Sequence, residues 1–86
     1  VPLLRLCISR DNAVFGIQSD YTLVKWDKLT FIPILPKSIT SELTGKKEVP
    51  EVVLSSQYKL HNISAKNNNT LYGIEEATRN IIKITL

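Results

Sequence analysis

The chain has 86 residues and a net charge of +3, from eleven Lys and Arg against eight Asp and Glu. Its length suits one small domain, and 43% hydrophobic with 22% charged residues excludes a chain that is disordered throughout. The basic residues are scattered along the chain, which disfavours a dedicated nucleic-acid binder, and a single cysteine excludes an internal disulfide.

The first third of the chain reads as short strands joined by tight turns. The strand segments are residues 3–9, 13–17 and 22–26. Arg10-Asp11-Asn12 and Ser19-Asp20-Tyr21 are predicted turns, because Asp and Asn side chains bond their own backbone. Residues 29–35 form a fourth segment, which Pro33 limits to a sheet edge or ends. This spacing predicts an antiparallel meander.

The second half reads differently at its start. Residues 36–51 are polar and framed by prolines, which predicts a surface loop or insertion. Strand segments then resume at residues 51–55, 58–64, 70–74 and 80–86. An amphipathic helix over residues 74–83 is the alternative for the tail. The β-branched residues after Asn80 favour strand-turn-strand instead.

The second half also repeats the pattern of the first. Three short matches carry the repetition: Ile8-Ser9 with Ile63-Ser64, Val14-Phe15-Gly16-Ile17 with Leu71-Tyr72-Gly73-Ile74, and Leu23-Val24-Lys25-Trp26 with Ile81-Ile82-Lys83-Ile84. Their offsets are 55, 57 and 58 residues, so the drift falls in the turns, where repeats accept insertions. We therefore divide the chain into a first repeat at 1–35, a polar loop at 36–51 and a second repeat at 52–86.

One stretch resembles a known family. Residues 19–27 place Asp20, Thr22, Trp26 and Asp27 behind an apolar strand, an order of strand, acidic turn, strand and Trp-Asp pair. This arrangement is similar to the end of a WD40 repeat, and the likeness covers residues 4–27, with a degenerate second copy at 58–86. The resemblance implies an all-β fold of antiparallel meander blades, a partial β-propeller. A small β-barrel or sandwich is the alternative.

The resemblance implies structural roles for these residues. Asp20 would accept hydrogen bonds from backbone amides or from a neighbouring His or Ser. Trp26 would pack beside that network, with a partner for its indole N–H if buried. Thr22 would start the strand, and Asp27 would complete the Trp-Asp pair. Tyr21 stands where the family commonly has Gly, so we expect no left-handed conformation at this position.

Residue types that carry chemistry are sparse. His61 is the only histidine, without cysteine or carboxylate neighbours at ligand spacing, so no metal site is predicted. Cys7 lies in an apolar run and reads as a buried small hydrophobe rather than a nucleophile. With no glycine-rich phosphate loop, the sequence predicts no catalytic residue, no cofactor and no enzyme activity.

Two function classes follow from these patterns. The first is a non-catalytic protein–protein interaction scaffold, a propeller segment that binds other subunits or the rest of a ring, with Tyr21, Phe31 and Tyr58 as candidate anchors. The alternative is a small β-barrel that binds single-stranded RNA or DNA. No apolar run approaches the ~20 residues of a membrane span. Without a cysteine framework we expect an intracellular protein, in cytoplasm or nucleus, although glycans at Asn62 or Asn68 would indicate a secreted one.

Overall fold

The chain folds into two antiparallel sheets in the computed structural model, which describes residues 1–49 and 58–86. The first sheet is a meander in the order β1-β2-β3-β4. Its strands are β1 Leu3–Ile8, β2 Val14–Gln18, β3 Leu23–Trp26 and β4 Phe31–Pro33. The all-β prediction is confirmed for the described ranges, which contain no helix. Pro33 ends a three-residue edge strand, as its missing N–H requires.

The second sheet has five strands in the order β6-β5-β9-β8-β7. They are β5 Ser38–Ser41, β6 Lys47–Glu48, β7 Leu60–Asn67, β8 Thr70–Glu75 and β9 Ile81–Thr85. The tail is therefore strand-turn-strand, and the helix considered for residues 74–83 is wrong. The strand expected at residues 51–55 lies outside the described residues.

The segment 36–51 differs from the loop that its polarity suggested. Its described part holds the short hairpin of β5 and β6, and β5 also pairs with β9. Ile39 is fully buried and joins the main apolar cluster, while Ser38 and Thr40 point to the opposite face. The buried Ile39 side chain and the backbone pairing with β9 attach this polar segment to the sheet.

The two sheets use the same pairing register. Leu6 pairs with Gly16 in the first sheet, and Ile63 pairs with Gly73 in the second, 57 positions later in both strands. Both first strands are irregular at the same point, between Leu3 and Arg5 and between Leu60 and Asn62. The third strands match at 58 positions: Gly16 pairs with Val24 and Gly73 with Ile82. The sequence match of Ile8 with Ile63 is out of register, since Ile8 corresponds to Ala65.

The fourth strand pairs in the same register in both sheets but comes from a different place in the chain. β4 follows β3 along the chain and pairs Trp26 with Phe31. The matching position beside β9 is filled by β5, which pairs Ile84 with Ile39. Because β5 precedes β7 in the chain, the second sheet takes its fourth strand from the segment between the repeats. Each sheet therefore presents four equivalent strands.

Each sheet has two faces. Residues that are equivalent in the two sheets lie on the same face. We call the side that carries Phe15 in the first sheet and Tyr72 in the second the front face. The side that carries Val24 in the first sheet and Ile82 in the second is the back face. Paired residues on adjacent strands point to the same side, so the registers assign the other residues.

The core forms where the front face of the first sheet packs on the back face of the second. The first sheet contributes Phe15, Ile17 and Leu23; the second contributes Ile39, Leu60, Ile63, Leu71, Ile82 and Ile84. Ile34, in the link after β4, joins the same cluster. A fully buried side chain of this size stabilises the fold by about 1.5–3 kcal/mol, so this single contact dominates the stability. Hydrogen bonds join strands only within each sheet of the described chain, which is not a closed barrel.

A matched pair of glycine substitutions tests this packing. A Cβ at Gly73 would lie 2.8 Å from Cδ1 of Leu60, which is buried in the core and has little room to move. A Cβ at the equivalent Gly16 would lie 2.9 Å from Cδ2 of Leu3, which is exposed enough to turn away, and 3.2 Å from the Arg5 carbonyl oxygen, which needs a shift of only a few tenths of an ångström. We expect Gly73→Ala to lower the free energy of unfolding by about 1–3 kcal/mol, and Gly16→Ala to lower it less. Denaturant titration measures both, and equal losses would contradict the assignment of faces.

Candidate interaction surface

The back face of the first sheet is the main apolar surface of the described chain. Its residues come from all four strands and are placed by cross-strand pairing and by contacts at Gly16: Leu3, Leu6, Ile8, Val14, Val24, Trp26, Phe31 and Pro33. None of these side chains is charged. Leu3, Leu6, Ile8 and Trp26 are exposed on this face, whereas Val24 is completely buried among its neighbours. Clustered exposed apolar side chains are typical of interaction sites.

Comparison with the second sheet shows how unusual this exposure is. Leu6 is 57% exposed, whereas its equivalent Ile63 is 8% exposed. Trp26 is 43% exposed, whereas its equivalent Ile84 is fully buried. The second sheet's back face is covered by the first sheet. The first sheet's back face therefore has the chemistry of a buried surface without its cover.

Trp26 and Phe31 form one end of this surface. Their ring centroids lie 6.5 Å apart with the planes tilted by 33°, within the range of favourable aromatic pairs. Val24, on the same face of β3, is completely buried. The indole is thus placed on the apolar face by strand alternation, where the resemblance implied a blade residue packed beside a polar network.

Asp20 and Asp27 stabilise the turns at the two ends of β3. The Asp20 carboxylate accepts the Thr22 backbone N–H at 3.1 Å, and Asp27 accepts the N–H groups of Leu29 and Thr30 at 3.0 and 2.8 Å. Hydrogen bonds from Thr22 hold the pKa of Asp20 below its usual range, and those from Thr30 and Leu29 do the same for Asp27. Separated by the length of a strand, the two carboxylates form no acid–base pair.

Tyr21 adopts the left-handed conformation that we did not expect, with φ of 66°. The turn requires it: Tyr21 N–H donates to the Gln18 carbonyl, and Gln18 N–H donates to the Thr22 carbonyl. Ser9 to Ala13 closes in the same way, with Asn12 at φ of 66°. A three-residue hairpin loop places its last residue in the left-handed region, so the hairpin overrides the side-chain preference.

The three aromatic residues predicted as anchors lie in three different environments. Tyr21 is hydrogen-bonded to Glu76, which raises the pKa of its hydroxyl, and Lys59 Nζ lies 5.6 Å from its ring centroid. Tyr58 packs against the core and donates its hydroxyl to Glu48 at 2.8 Å. Phe31 alone belongs to the exposed back face. The structure therefore does not bring the three together.

The exposed aliphatic residues of β1 were missed as site residues in the sequence. Leu6 and Ile8 alternate with Arg5 and Cys7, and Cys7 packs against the core. Apolar residues on both sides of a strand are typical of strands that are covered on both faces. That signal was present in the run from Leu3 to Ile8. This pattern indicates that the side of β1 with Leu6 and Ile8 is also covered, by a partner.

Residues with reactive side chains do not assemble into a centre in the described part of the chain. No group of three His, Cys, Asp or Glu side chains there is placed to hold a metal ion. Burial raises the pKa of the Cys7 thiol, opposed by a hydrogen bond from the Ala65 backbone. His61 lines a shallow cavity of about 240 Å³ with Arg5 and Tyr21, and its Nδ1 is buried without a partner.

A polar contact at one end holds the two sheets together. The Asp11 carboxylate, in the β1–β2 turn, accepts the backbone N–H of Asn68 in the β7–β8 turn at 3.1 Å. It also accepts the Ser9 hydroxyl. The hydrogen bond from Ser9, followed by those from backbone amides, holds the pKa of Asp11 below its usual range. This carboxylate is a structural group that joins two turns.

Comparison with known proteins finds no match. No protein-family model matches it, and neither a curated protein nor a solved structure does. Among the described residues there is also no helix that is long and apolar enough to cross a membrane. Inferences about function therefore rest on the surface itself.

The Asp11 contact predicts a pH-dependent stability. Because the folded-state pKa is lowered, this carboxylate stabilises the fold above its unfolded pKa of about 3.9 and loses that effect as the pH falls through the folded value. We expect Asp11→Asn to lower the melting temperature at neutral pH, with the difference from wild type shrinking below about pH 4. Thermal unfolding followed by circular dichroism across this range measures it. A difference that stays constant with pH would contradict the ionic role of Asp11.

The surroundings of Tyr58 predict a second pH-dependent effect, the late ionisation of its hydroxyl. Burial, followed by its hydrogen bond to Glu48, raises the pKa of Tyr58 to about 12. Its protonated hydroxyl therefore contributes stability fully below the unfolded pKa of about 10, and loses it as the pH rises through the folded value. Tyrosinate absorbance should show a group titrating near pH 12 that is missing in Tyr58→Phe. An unchanged late titration in that variant would reassign it to another tyrosine.

Proposed function

We propose that this chain is a non-catalytic scaffold that binds another protein through the back face of its first sheet. The carrying observation is the exposed apolar row of Leu6, Ile8 and Trp26, whose equivalents in the second sheet are covered. Burying such a surface supplies the main favourable term in protein association. A flat apolar face bounded by strands best fits another β-sheet as its partner.

The proposal includes the architecture suggested by the resemblance, two blades of a WD40-like propeller inside an intracellular complex. Its support is the repeated four-strand register and the stacking of the front face of one sheet on the back face of the next. Stacked blades need neighbours on both sides. A chain with two such sheets would leave two faces for other subunits or for further blades.

The proposal assigns no catalytic role, because the polar side chains already form hydrogen bonds that stabilise turns. Asp11, Asp20 and Asp27 accept backbone amides in turns. The Cys7 thiol has a raised pKa, which disfavours the reactive thiolate. We also propose that the chain works without a cofactor.

Single-strand nucleic-acid binding has less support. Stacking on bases needs exposed aromatic rings, but Phe15 is completely buried and Tyr58 is bonded to Glu48. Trp26 is exposed and Phe31 half-buried, on a face whose assigned strand residues carry no charge.

A charge placed on the back face tests the scaffold role. We expect Leu6→Lys to weaken binding of the protein partner by about tenfold or more, because the ammonium would have to be desolvated in an apolar contact. The measurement is quantitative co-purification of tagged variants from the source cell, followed by affinity measurement with the purified partner. Leu29→Lys, at a residue that is exposed in the β3–β4 turn, is the matched control and should bind as wild type.

Two results would contradict the proposal. One is a partner that binds Leu6→Lys and wild type equally, which would place the contact elsewhere. The other is tight binding of single-stranded DNA or RNA that weakens steeply with added salt, which would favour the nucleic-acid alternative.

A further inference from the structure

The two sheets leave one face of each type exposed. Inside the chain, the front face of the first sheet covers the back face of the second. The back face of the first sheet carries the exposed Leu6, Ile8 and Trp26. The front face of the second sheet carries Ile81, which is 50% exposed, whereas its equivalent Leu23 is buried. The two outer faces of the chain are therefore different, and each exposes apolar side chains.

The exposed front face shares three apolar positions with the buried one. Around them it is more polar, since Ser64 and Thr40 stand where the buried face has Cys7 and Ile32. Its apolar residues and their equivalents in the first sheet are Tyr72 with Phe15, Ile74 with Ile17 and Ile81 with Leu23. Lys25 pairs with Phe15 and places Nζ 5.6 Å from the ring centroid, and Lys83 pairs with Tyr72 in the same register. A shallow cavity of about 230 Å³ between Tyr72 and Ile81 leaves room for an inserted side chain.

We propose that copies of this chain assemble head to tail, with the front face of one copy's second sheet packed on the back face of the next copy's first sheet. The inference rests on the proposed function, because it names a second copy as the partner. The internal contact between the sheets shows this pair of faces already packed together. Each copy has one outer front face and one outer back face. A single copy cannot pack these two faces against each other.

The chemistry of the two faces favours this arrangement over a twofold dimer. A twofold contact would place the back face against itself, and nothing in the internal core resembles such a pairing. A contact between two different faces leaves one free face at each end of the assembly. Further copies can therefore add, which builds a closed ring or an open stack rather than a dimer. The wild-type protein should therefore form assemblies larger than a dimer as its concentration rises.

Two surface variants test the arrangement when they are mixed. Leu6→Lys disables only the back face, and Ile81→Lys disables only the front face; both residues are exposed, so the fold should tolerate them. Each variant alone should be monomeric, because every contact needs one face of each type. An equimolar mixture should form a one-to-one dimer, since each variant retains the face that the other lacks.

Sedimentation velocity of the purified chain gives the readout, and circular dichroism checks that each variant is folded. Leu29→Lys is the control, and it should assemble as wild type does. If either variant fails to fold, Ile8→Lys replaces the back-face change and Tyr72→Lys the front-face change. Native mass spectrometry of the mixture identifies one copy of each variant in the dimer.

Several outcomes would overturn the inference. A wild-type chain that stays monomeric from micromolar to millimolar concentration removes self-assembly. A dimer lost in Leu6→Lys, kept in Ile81→Lys and not restored by mixing indicates a twofold contact through the back face. A monomer that still binds a different protein through Leu6 overturns head-to-tail assembly and leaves the scaffold role standing, so the two proposals fail separately.

Discussion

The structure depends on one contact, the packing of the front face of the first sheet on the back face of the second. Phe15 and Leu23 are completely or almost completely buried there against residues such as Leu71. A two-layer arrangement covers one face of each layer and leaves the other two exposed. In a chain with polar outer faces this would complete the fold. Here the outer face of the first sheet carries the exposed Leu6, Ile8 and Trp26, so the contact that stabilises the chain also leaves an apolar face uncovered.

Several polar residues support this packing. Asp20 and Asp27 accept amide hydrogen bonds in the turns of the first sheet, and Asp11 joins a turn of each sheet. Tyr21 accepts an unfavourable backbone conformation because the hairpin needs a left-handed residue at its position. These groups hold strands at a fixed register and angle. The outer faces of the two sheets are what this packing leaves uncovered.

The repeated register links this architecture to the proposed role. Both sheets place a glycine of the second strand against a leucine at the start of the first, Gly16 against Leu3 and Gly73 against Leu60. The second sheet reaches four equivalent strands only by taking β5 from the segment between the repeats. A unit that stacks front to back has no natural end after two copies. The proposed scaffold role and the proposed head-to-tail assembly are both consequences of this geometry.

The sequence by itself determined the strands and turns, because alternation and turn chemistry are local. Strand positions in β2, β3, β8 and β9 and the edge position of Pro33 follow from neighbouring residues, and so do the hydrogen bonds of Asp20 to backbone amides. Tertiary structure alone decided which face of each sheet is covered, that Ile39 docks a polar segment beside β9, and that Ile8 corresponds to Ala65 rather than Ile63. These depend on contacts between residues far apart in the chain, and local patterns carry no information about which of two apolar faces will find a partner.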